Sequence, residues 1–445
     1  MIVVRSLRSK ILKRNFPSKF GRLPIYIAAE SSMLICNIPS GIRKVSDQYK
    51  SIYASAGIDF ANTTSLFLYF LFGCTSLSQL AREYVNSPSV SELTRAVSNF
   101  PGNRFMRRCR RSILNHYDGN LDPNDFAFAI DDTSNPRYGK SIFACQRWNT
   151  HGNGYFGQKI LVLVLVDIKR NIALPLGYAF LTSKLDPKYT PILKRAVRLV
   201  DDCLEAGFPK LPVVTDSWFD SKELMEAFSD RDMTFITELK SKRKVRNGSG
   251  YNVPYKTLGE HFCQPHGEVY ARPLTTKRGK GRPELRFTEA KVLQLKTYKT
   301  PIRIVALYNK RSSRQAFGYF ASTDRTMPGA TVWKIYRARW AIEVLFRDLK
   351  QNLSFGTLPC GGENASDLAV CMPFAIIILL RLRPESWQVE AGLTIGKSIA
   401  IVKERVLSRS IELLGFESSK DLRTRVRARR DPTRFGKKPV DRTAA

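Results

Sequence analysis

Histidine is almost absent: four occur in 445 residues, at positions 116, 151, 261 and 266, and none falls in a pattern with Ser or Cys. Hydrolysis by a serine or cysteine triad therefore has no support. The eight cysteines include no C-x-x-C pair. The apolar surroundings of Cys74, Cys145 and Cys371 mark them as small core residues of a protein kept reduced. His261, Cys263 and His266 form the one local group of soft ligand types, but no obvious fourth ligand accompanies them, so a zinc site is not expected. The apolar runs Leu66–Cys74 and Leu368–Leu380, the second interrupted by Pro373, fall short of the roughly 20 residues a membrane-spanning helix needs. The opening stretch MIVVRSLRSKILKRNF lacks the apolar run of a signal peptide; it resembles an organellar presequence but reads equally as a basic arm or an extension upstream of the real start. Internal repeats and a Walker-type phosphate loop are also missing. These absences lead to the expectation of a cytoplasmic protein with no membrane partner.

Acidic residues are in deficit as well, with 39 Asp+Glu against 72 Lys+Arg, a net charge of +33. Nothing balances that excess, so it points to a polyanion partner, and to nucleic acid before an anionic membrane. The 43% hydrophobic content, with 26 Phe and 17 Tyr, is ample for a folded interior. The length implies two to four domains.

Residues 1–45 are basic, scattered with Pro and Ser, and form no convincing element. Residues 46–120 are patterned as helices, with two Ser-initiated amphipathic stretches on either side of the turn sequence NSPS. RFMRRCRRS (Arg104–Ser112) then puts five Arg on one short helical segment, so this region is expected to be a helical DNA-binding domain. From Asp125 the pattern changes to buried-strand runs, FAFAI (126–130), LVLVLV (161–166) and ALPLGYAFL (173–181). A helix over 187–206, the strand PVVT, a helix from Ser221 and the strand FITEL follow. Three successive strands and then alternating helices and strands predict an α/β fold with a mixed sheet. Residues 241–325 read as a β-rich insertion with basic loops, residues 359–419 as a helical C-terminal region, and residues 420–445 as a basic tail.

Asp131 and Asp132 end the first strand run, and Asp216 ends PVVT; the C-terminal ends of strands are where α/β folds expose ligand-binding groups. The stretch YRARWAIEVLFRDLK (336–350) has apolar residues at helical spacing, and Tyr336, Arg339, Glu343 and Lys350 recur with the same rhythm, within an arc of roughly 60° on one continuous helix. A carboxylate bordering a packed face demands a partner or a metal. Three carboxylates brought together suit hard divalent cations, and two such ions across a scissile phosphate suit phosphodiester chemistry. Trp218, beside the second acid, offers a ring for an unpaired base. Arg137 and Lys140 are candidates for lining a DNA channel.

The order Asp, Asp, Glu, with Glu343 in a Tyr-x2-Arg-x3-Glu-x6-Lys helix, resembles the YREK signature of bacterial insertion-sequence DDE transposases. All four signature positions match, as do the Arg-Trp pair and the Phe before Lys350. Asp131-Asp132-Thr133 and Asp216-Ser217-Trp218-Phe219 are similar to the contexts of the family's two aspartates. The resemblance covers residues 126–352. It implies an RNase H-like core in two parts, residues 121–240 and 326–358, interrupted by the β-rich insertion. It further implies that Asp131, Asp216 and Glu343 hold two Mg²⁺, with Mn²⁺ as a substitute. Tyr336, Arg339 and Lys350 would contact phosphates, and the enzyme would act as a dimer on its terminal inverted repeats and on target DNA, associated with the nucleoid. Neighbouring side chains of an extended strand point to opposite faces, so only one of Asp131 and Asp132 joins the site. Asp131, in the Asp-x-Thr register, is the choice, with Asp132 the alternative. An inactive DNA-binding derivative and a nuclease without strand transfer remain as other readings.

Overall fold

The apolar run Ile160 to Val166 is buried at every position, as a strand sealed on both faces requires. The computed structural model of the chain describes residues 60–83, 88–139, 141–150, 153–247, 253–263, 272–278, 282–298, 300–309, 315–387 and 389–413. The basic extension 1–45, the tail 420–445, Lys140 and His266 lie outside the described residues.

Among the described residues four helices come first: α1 (Phe60–Phe72), α2 (Leu77–Glu83), α3 (Val90–Ser98) and α4 (Gly102–His116). Ser89, the last residue of NSPS, caps α3 in a reciprocal pair with Glu92, which satisfies two backbone donors that the helix start would leave open. Then come β1 (Phe126–Pro136), β2 (Gln146–Thr150), β3 (Asn153–Asp167), β4 (Ile172–Leu181), α5 (Ile192–Leu204), β5 (Val213–Thr215), α6 (Lys222–Ser229) and β6 (Phe235–Leu239). Antiparallel β3 joins β4 to β1, and β1, β5 and β6 run parallel, giving the order β4-β3-β1-β5-β6. This is the arrangement of the RNase H-like core that the resemblance implies.

Beyond β6 lie β7 (Lys244–Arg246), β8 (Lys256–Thr257), the short α7 (Leu258–His261), β9 (Arg272–Arg278), β10 (Arg282–Leu295), β11 (Ile302–Tyr308) and β12 (Gly318–Ser322). Because β12 pairs antiparallel with β6, these strands widen the core sheet to 12 strands. The chain then returns through α8 (Gly329–Ala338) and α9 (Trp340–Asn352), followed by α10 (Glu363–Leu382) and α11 (Ile395–Leu413).

Helix α8 packs on β5, β6, β12 and β11, whereas α9 packs on β1, β3 and β4. The joint between them, Arg339, thus falls above the seam of β1 and β5. Strand connections leave that seam in opposite directions, which is where open α/β sheets form ligand crevices.

Three features differ from the sequence expectation. QRWNT, with one large apolar residue, forms β2 at the sheet edge, where backbone pairing with β3 suffices without an apolar face. The helix expected to run unbroken through Tyr336–Lys350 is two helices. Arg339 N bonds back to Tyr336 O at 3.0 Å and Ile342 N to Arg339 O at 2.9 Å, the tighter three-residue pattern that marks a break or hinge. Pro373 does not interrupt its run: α10 spans 20 residues with Pro373 inside, long and apolar enough to cross a membrane. It is instead the central core helix, packed against α1, α3, α4 and β4.

On α10, Asp367 accepts a 2.6 Å hydrogen bond from the Tyr178 hydroxyl. Burial pushes the Asp367 carboxyl up to about 6, against the pull of that hydrogen bond. An unfolded aspartate titrates near 4, so between roughly pH 4 and 6 the folded state holds a proton that the unfolded chain has lost. Stability therefore falls as pH rises through that window. Asp367→Asn is expected to flatten this slope, gaining on the order of 2 kcal/mol relative to wild type between pH 4 and 7, as read by urea unfolding at both pH values. Parallel slopes for the two proteins would contradict it.

Candidate active site

Asp131 lies at the middle of β1, directly after the fully buried Ala127–Ile130; the strand does not end at the acids, as the sequence suggested, but continues to Pro136 because its pairing with β3 carries on past them. Its Oδ2 accepts a 3.0 Å ion pair from Nη1 of Arg339, whose Nη2 reaches Oε1 of Glu343 at 2.7 Å. One guanidinium therefore binds two carboxylates from distant parts of the chain. Its side chain is 11% exposed, which excludes most of the water that would screen the contact. Burial acts against the Arg339 charge, but Asp131, Tyr336 and Glu343 outweigh it and hold the guanidinium above its usual range.

Asp216 follows β5 directly. Its Oδ1 accepts from Trp218 N at 3.0 Å, and its carbonyl accepts from the Thr237 hydroxyl at 2.9 Å. The turn after β5 is thereby fixed to β6. Burial pushes the Asp131 carboxyl up to about 7; Arg339 pulls it down, and the negative charge of Asp216 pushes it up again. Asp132 is also raised, first by burial and then by Asp216, against the pull of Lys159. Its Oδ2 lies 3.1 Å from Lys159 Nζ. The adjacent aspartates thus take different cations, Asp131 the one on the Glu343 helix and Asp132 one on β3.

Lys350 sits on the same helix as Glu343 and donates to the Ser134 carbonyl at 2.8 Å. Burial lowers its pKa and Asp132 opposes that, so a cation is kept beside the acids without neutralising them. Trp218 is 56% exposed, with Lys159 Nζ 5.1 Å from its ring centre.

Tyr336 is buried: its hydroxyl donates to Glu238 Oε2 at 2.6 Å, its ring packs on Phe320, and the Arg339 guanidinium lies 5.8 Å from its ring centre. Burial, and then the bond to Glu238, hold the phenol protonated well above its usual range. In this conformation it faces Glu238 and not a place open to a phosphate. Tyr336→Phe is expected to lower stability by about 1–2 kcal/mol, with DNA affinity unchanged within roughly two-fold because no phosphate contact is lost. Urea unfolding and a DNA titration read the two effects.

Arg137 does not line a channel either. It is buried and bonded to Gln158 and the Leu358 carbonyl. Of the α4 arginines, Arg104, Arg107 and Arg111 are exposed, whereas Arg110 is buried and donates to the Leu176 carbonyl.

Lys159 and Glu238 were missed by the sequence reading. Each carried a signal, a charged residue set directly against or inside a strand run (QKILVLVLV, FITEL). The partner of each depends on strand order, which the runs alone do not reveal.

Among the described residues, no three His, Cys, Asp or Glu side chains converge closely enough to chelate an ion as they stand. The donor chemistry nonetheless suits a hard divalent cation. Asp131, Asp216 and Glu343 are carboxylates at one seam, the buried one strained by its neighbour's charge, and two of them already share a cation.

Comparison with known proteins places this geometry in context. Residues 127–379, more than half of the chain, match the family model described as "Transposase DDE domain". Among solved structures, the chain is similar to a piggyBac transposase synaptic complex with hairpin DNA, at 11% identity and a TM-score of 0.41, over 95% of this chain and 81% of that one. A Mos1 mariner paired-end complex with Mn is similar at 12% identity and a TM-score of 0.16, over 39% and 57%. A Mos1 strand transfer complex gives 13%, 0.16, 39% and 56%. No curated protein sequence matches the chain.

Proposed function

The chain belongs to the family of DNA transposases that carry the DDE domain, and from that premise we propose that it is an insertion-sequence enzyme of the YREK kind. It cuts DNA at the terminal inverted repeats of its element and joins the freed 3′-hydroxyls to target DNA. The observation that carries this reading is the meeting of Asp131 and Glu343 on one guanidinium, with the charge of Asp216 close enough to raise Asp131.

Asp131, Asp216 and Glu343 would hold two Mg²⁺, Mn²⁺ substituting, and such ions supply an activated attacking oxygen and charge neutralisation for the leaving one. Asp131 is favoured over Asp132 because it shares its cation with Glu343, whereas Asp132 is occupied by Lys159. Lys350 and Arg339 offer positive charge to the backbone phosphate on either side of the cut. The exposed Trp218 ring offers a stacking surface to an unpaired base. Residues 46–120 serve as the DNA-recognition module, with the exposed arginines of α4 on its phosphate-facing side. A dimer holds two ends together, and the enzyme works in the cytoplasm on nucleoid DNA.

The test is metal-dependent cutting of DNA taken from the flanks of the coding sequence, with nicked and joined products resolved on a denaturing gel. Both products are expected. Nicks without joined products would favour a nuclease, and neither product in the presence of Mg²⁺ or Mn²⁺ would sink the proposal.

A further inference from the structure

Arg339 occupies the place where a cation is needed. It bonds Asp131 at 3.0 Å and Glu343 at 2.7 Å, taking an oxygen from each of two carboxylates read as metal ligands. Its Nε is buried and finds no hydrogen-bond partner; besides the two ion pairs, the guanidinium only lies over the Tyr336 ring, 5.8 Å from its centre. It also stands at the joint of α8 and α9, where two three-residue hydrogen bonds replace the regular ladder. A residue at a helix joint, incompletely bonded and bridging two acids, is suited to let go.

We propose that Arg339 is the site's built-in counter-ion: it holds Asp131 and Glu343 together before metal arrives, and metal binds only as the guanidinium releases them. This rests on reading those acids as metal ligands. A guanidinium and a divalent ion cannot both take the same carboxylate oxygens, so the two compete. A DNA phosphate offers the released guanidinium a second anionic partner with matching geometry. DNA binding and metal loading therefore favour each other, and the free protein is kept poorly loaded. Arg339 acts here as a positioning residue whose exchange of partners couples the two ligands.

The experiment measures Mn²⁺ binding to the full-length protein without DNA, by the loss of the free-ion EPR signal, for wild type, Arg339→Ala and Arg339→Gln. Both variants are expected to bind Mn²⁺ about ten-fold or more tightly than wild type, a gain of about 1.4 kcal/mol. Adding duplex DNA should tighten binding to wild type and leave the variants nearly unchanged. In EDTA the variants should melt below wild type, because two close carboxylates lose their counter-ion, and Mn²⁺ should raise their Tm more than that of wild type. Arg339→Gln keeps the side-chain bulk, so a folded uncharged variant remains if Arg339→Ala does not fold. Equal or weaker Mn²⁺ binding by a folded Arg339→Gln overturns the proposal. Asp131→Asn and Glu343→Gln separate this from the underlying reading. If neither weakens Mn²⁺ binding, the metal-site reading fails. If both do and the Arg339 variants gain nothing, only the role of Arg339 falls.

Discussion

Replacing Glu343 by Gln is expected to slow DNA nicking about a thousand-fold or more, the equivalent of roughly 4 kcal/mol of lost transition-state stabilisation. Glutamine keeps the length of the side chain and can still accept from Arg339, so the fold and the bond geometry at the helix joint should survive. What disappears is one negative charge and a strong ligand oxygen for a hard cation. The affinity for the element's end should stay within about two-fold, since the acid itself makes no favourable contact with a phosphate. Asp131→Asn should match the loss, whereas Asp132→Asn, whose partner is Lys159, should cost far less. Asp348→Asn serves as the control: Asp348 lies on the same helix but faces Arg381 at 4.0 Å, and its loss should leave nicking near wild type. Single-turnover nicking rates and a DNA-binding titration check all four variants. Full activity in Glu343→Gln would remove the carboxylate from the chemistry.

The second large effect is structural. Gly157 pairs with Pro136 where β1 and β3 run together past the acids. A Cβ there would strike the Asn135 carbonyl oxygen and stand 2.8 Å from Pro136 Cα and 2.9 Å from Arg137 N. All three are backbone atoms, so no rotamer change relieves the clash and the strands must separate. Gly157→Ala is expected to destabilise by about 3 kcal/mol or more, well beyond the usual effect of adding one methyl group. Gly154→Ala, three residues earlier on the same strand, meets only the ends of Asn149 and Arg147. It should fall within about 1 kcal/mol of wild type, because flexible side chains can move aside. The urea midpoints of the two variants decide the matter, and similar midpoints would show that β1 and β3 tolerate separation at this point.

The sheet strands that carry the acids were legible because they bury both faces. FAFAI, LVLVLV, PVVT and FITEL are runs that no exposed element would carry, and each lies within an observed strand, apart from Pro212, which precedes β5. The helix expected from Ser221 is observed as α6, and the Ser221 hydroxyl caps it by accepting from Leu224 N. Edge strand β2 was not, because its stability comes from backbone pairing with β3 and leaves little trace in side-chain pattern. Nor was the joint at Arg339, because a three-residue hydrogen bond divides a helix without altering its apolar spacing; the bond of Tyr336 to Glu238 depends on where β6 lies. The burial of Arg137 and the pairing of Lys159 with Asp132 depend on which strands become neighbours. Local composition does not encode that.

The chemistry was legible in a different way. A carboxylate, a guanidinium and an ammonium spaced at 4 and 7 residues beside the apolar stripe of one stretch have no packing explanation, and two acids that follow buried-strand runs supply the partners. The sequence did not reveal that the guanidinium turns toward the acids and holds two of them. That arrangement follows from the position of α9 over β1 and of Arg339 over the seam with β5.

Anomalous scattering from Mn²⁺ in crystals of the protein bound to DNA from its element's end tests the central claim most directly. The account predicts manganese within about 2–2.5 Å of carboxylate oxygens of Asp131, Asp216 and Glu343, with Arg339 withdrawn from both acids. Manganese bound elsewhere, with Arg339 still bridging Asp131 and Glu343 on bound DNA, would contradict it.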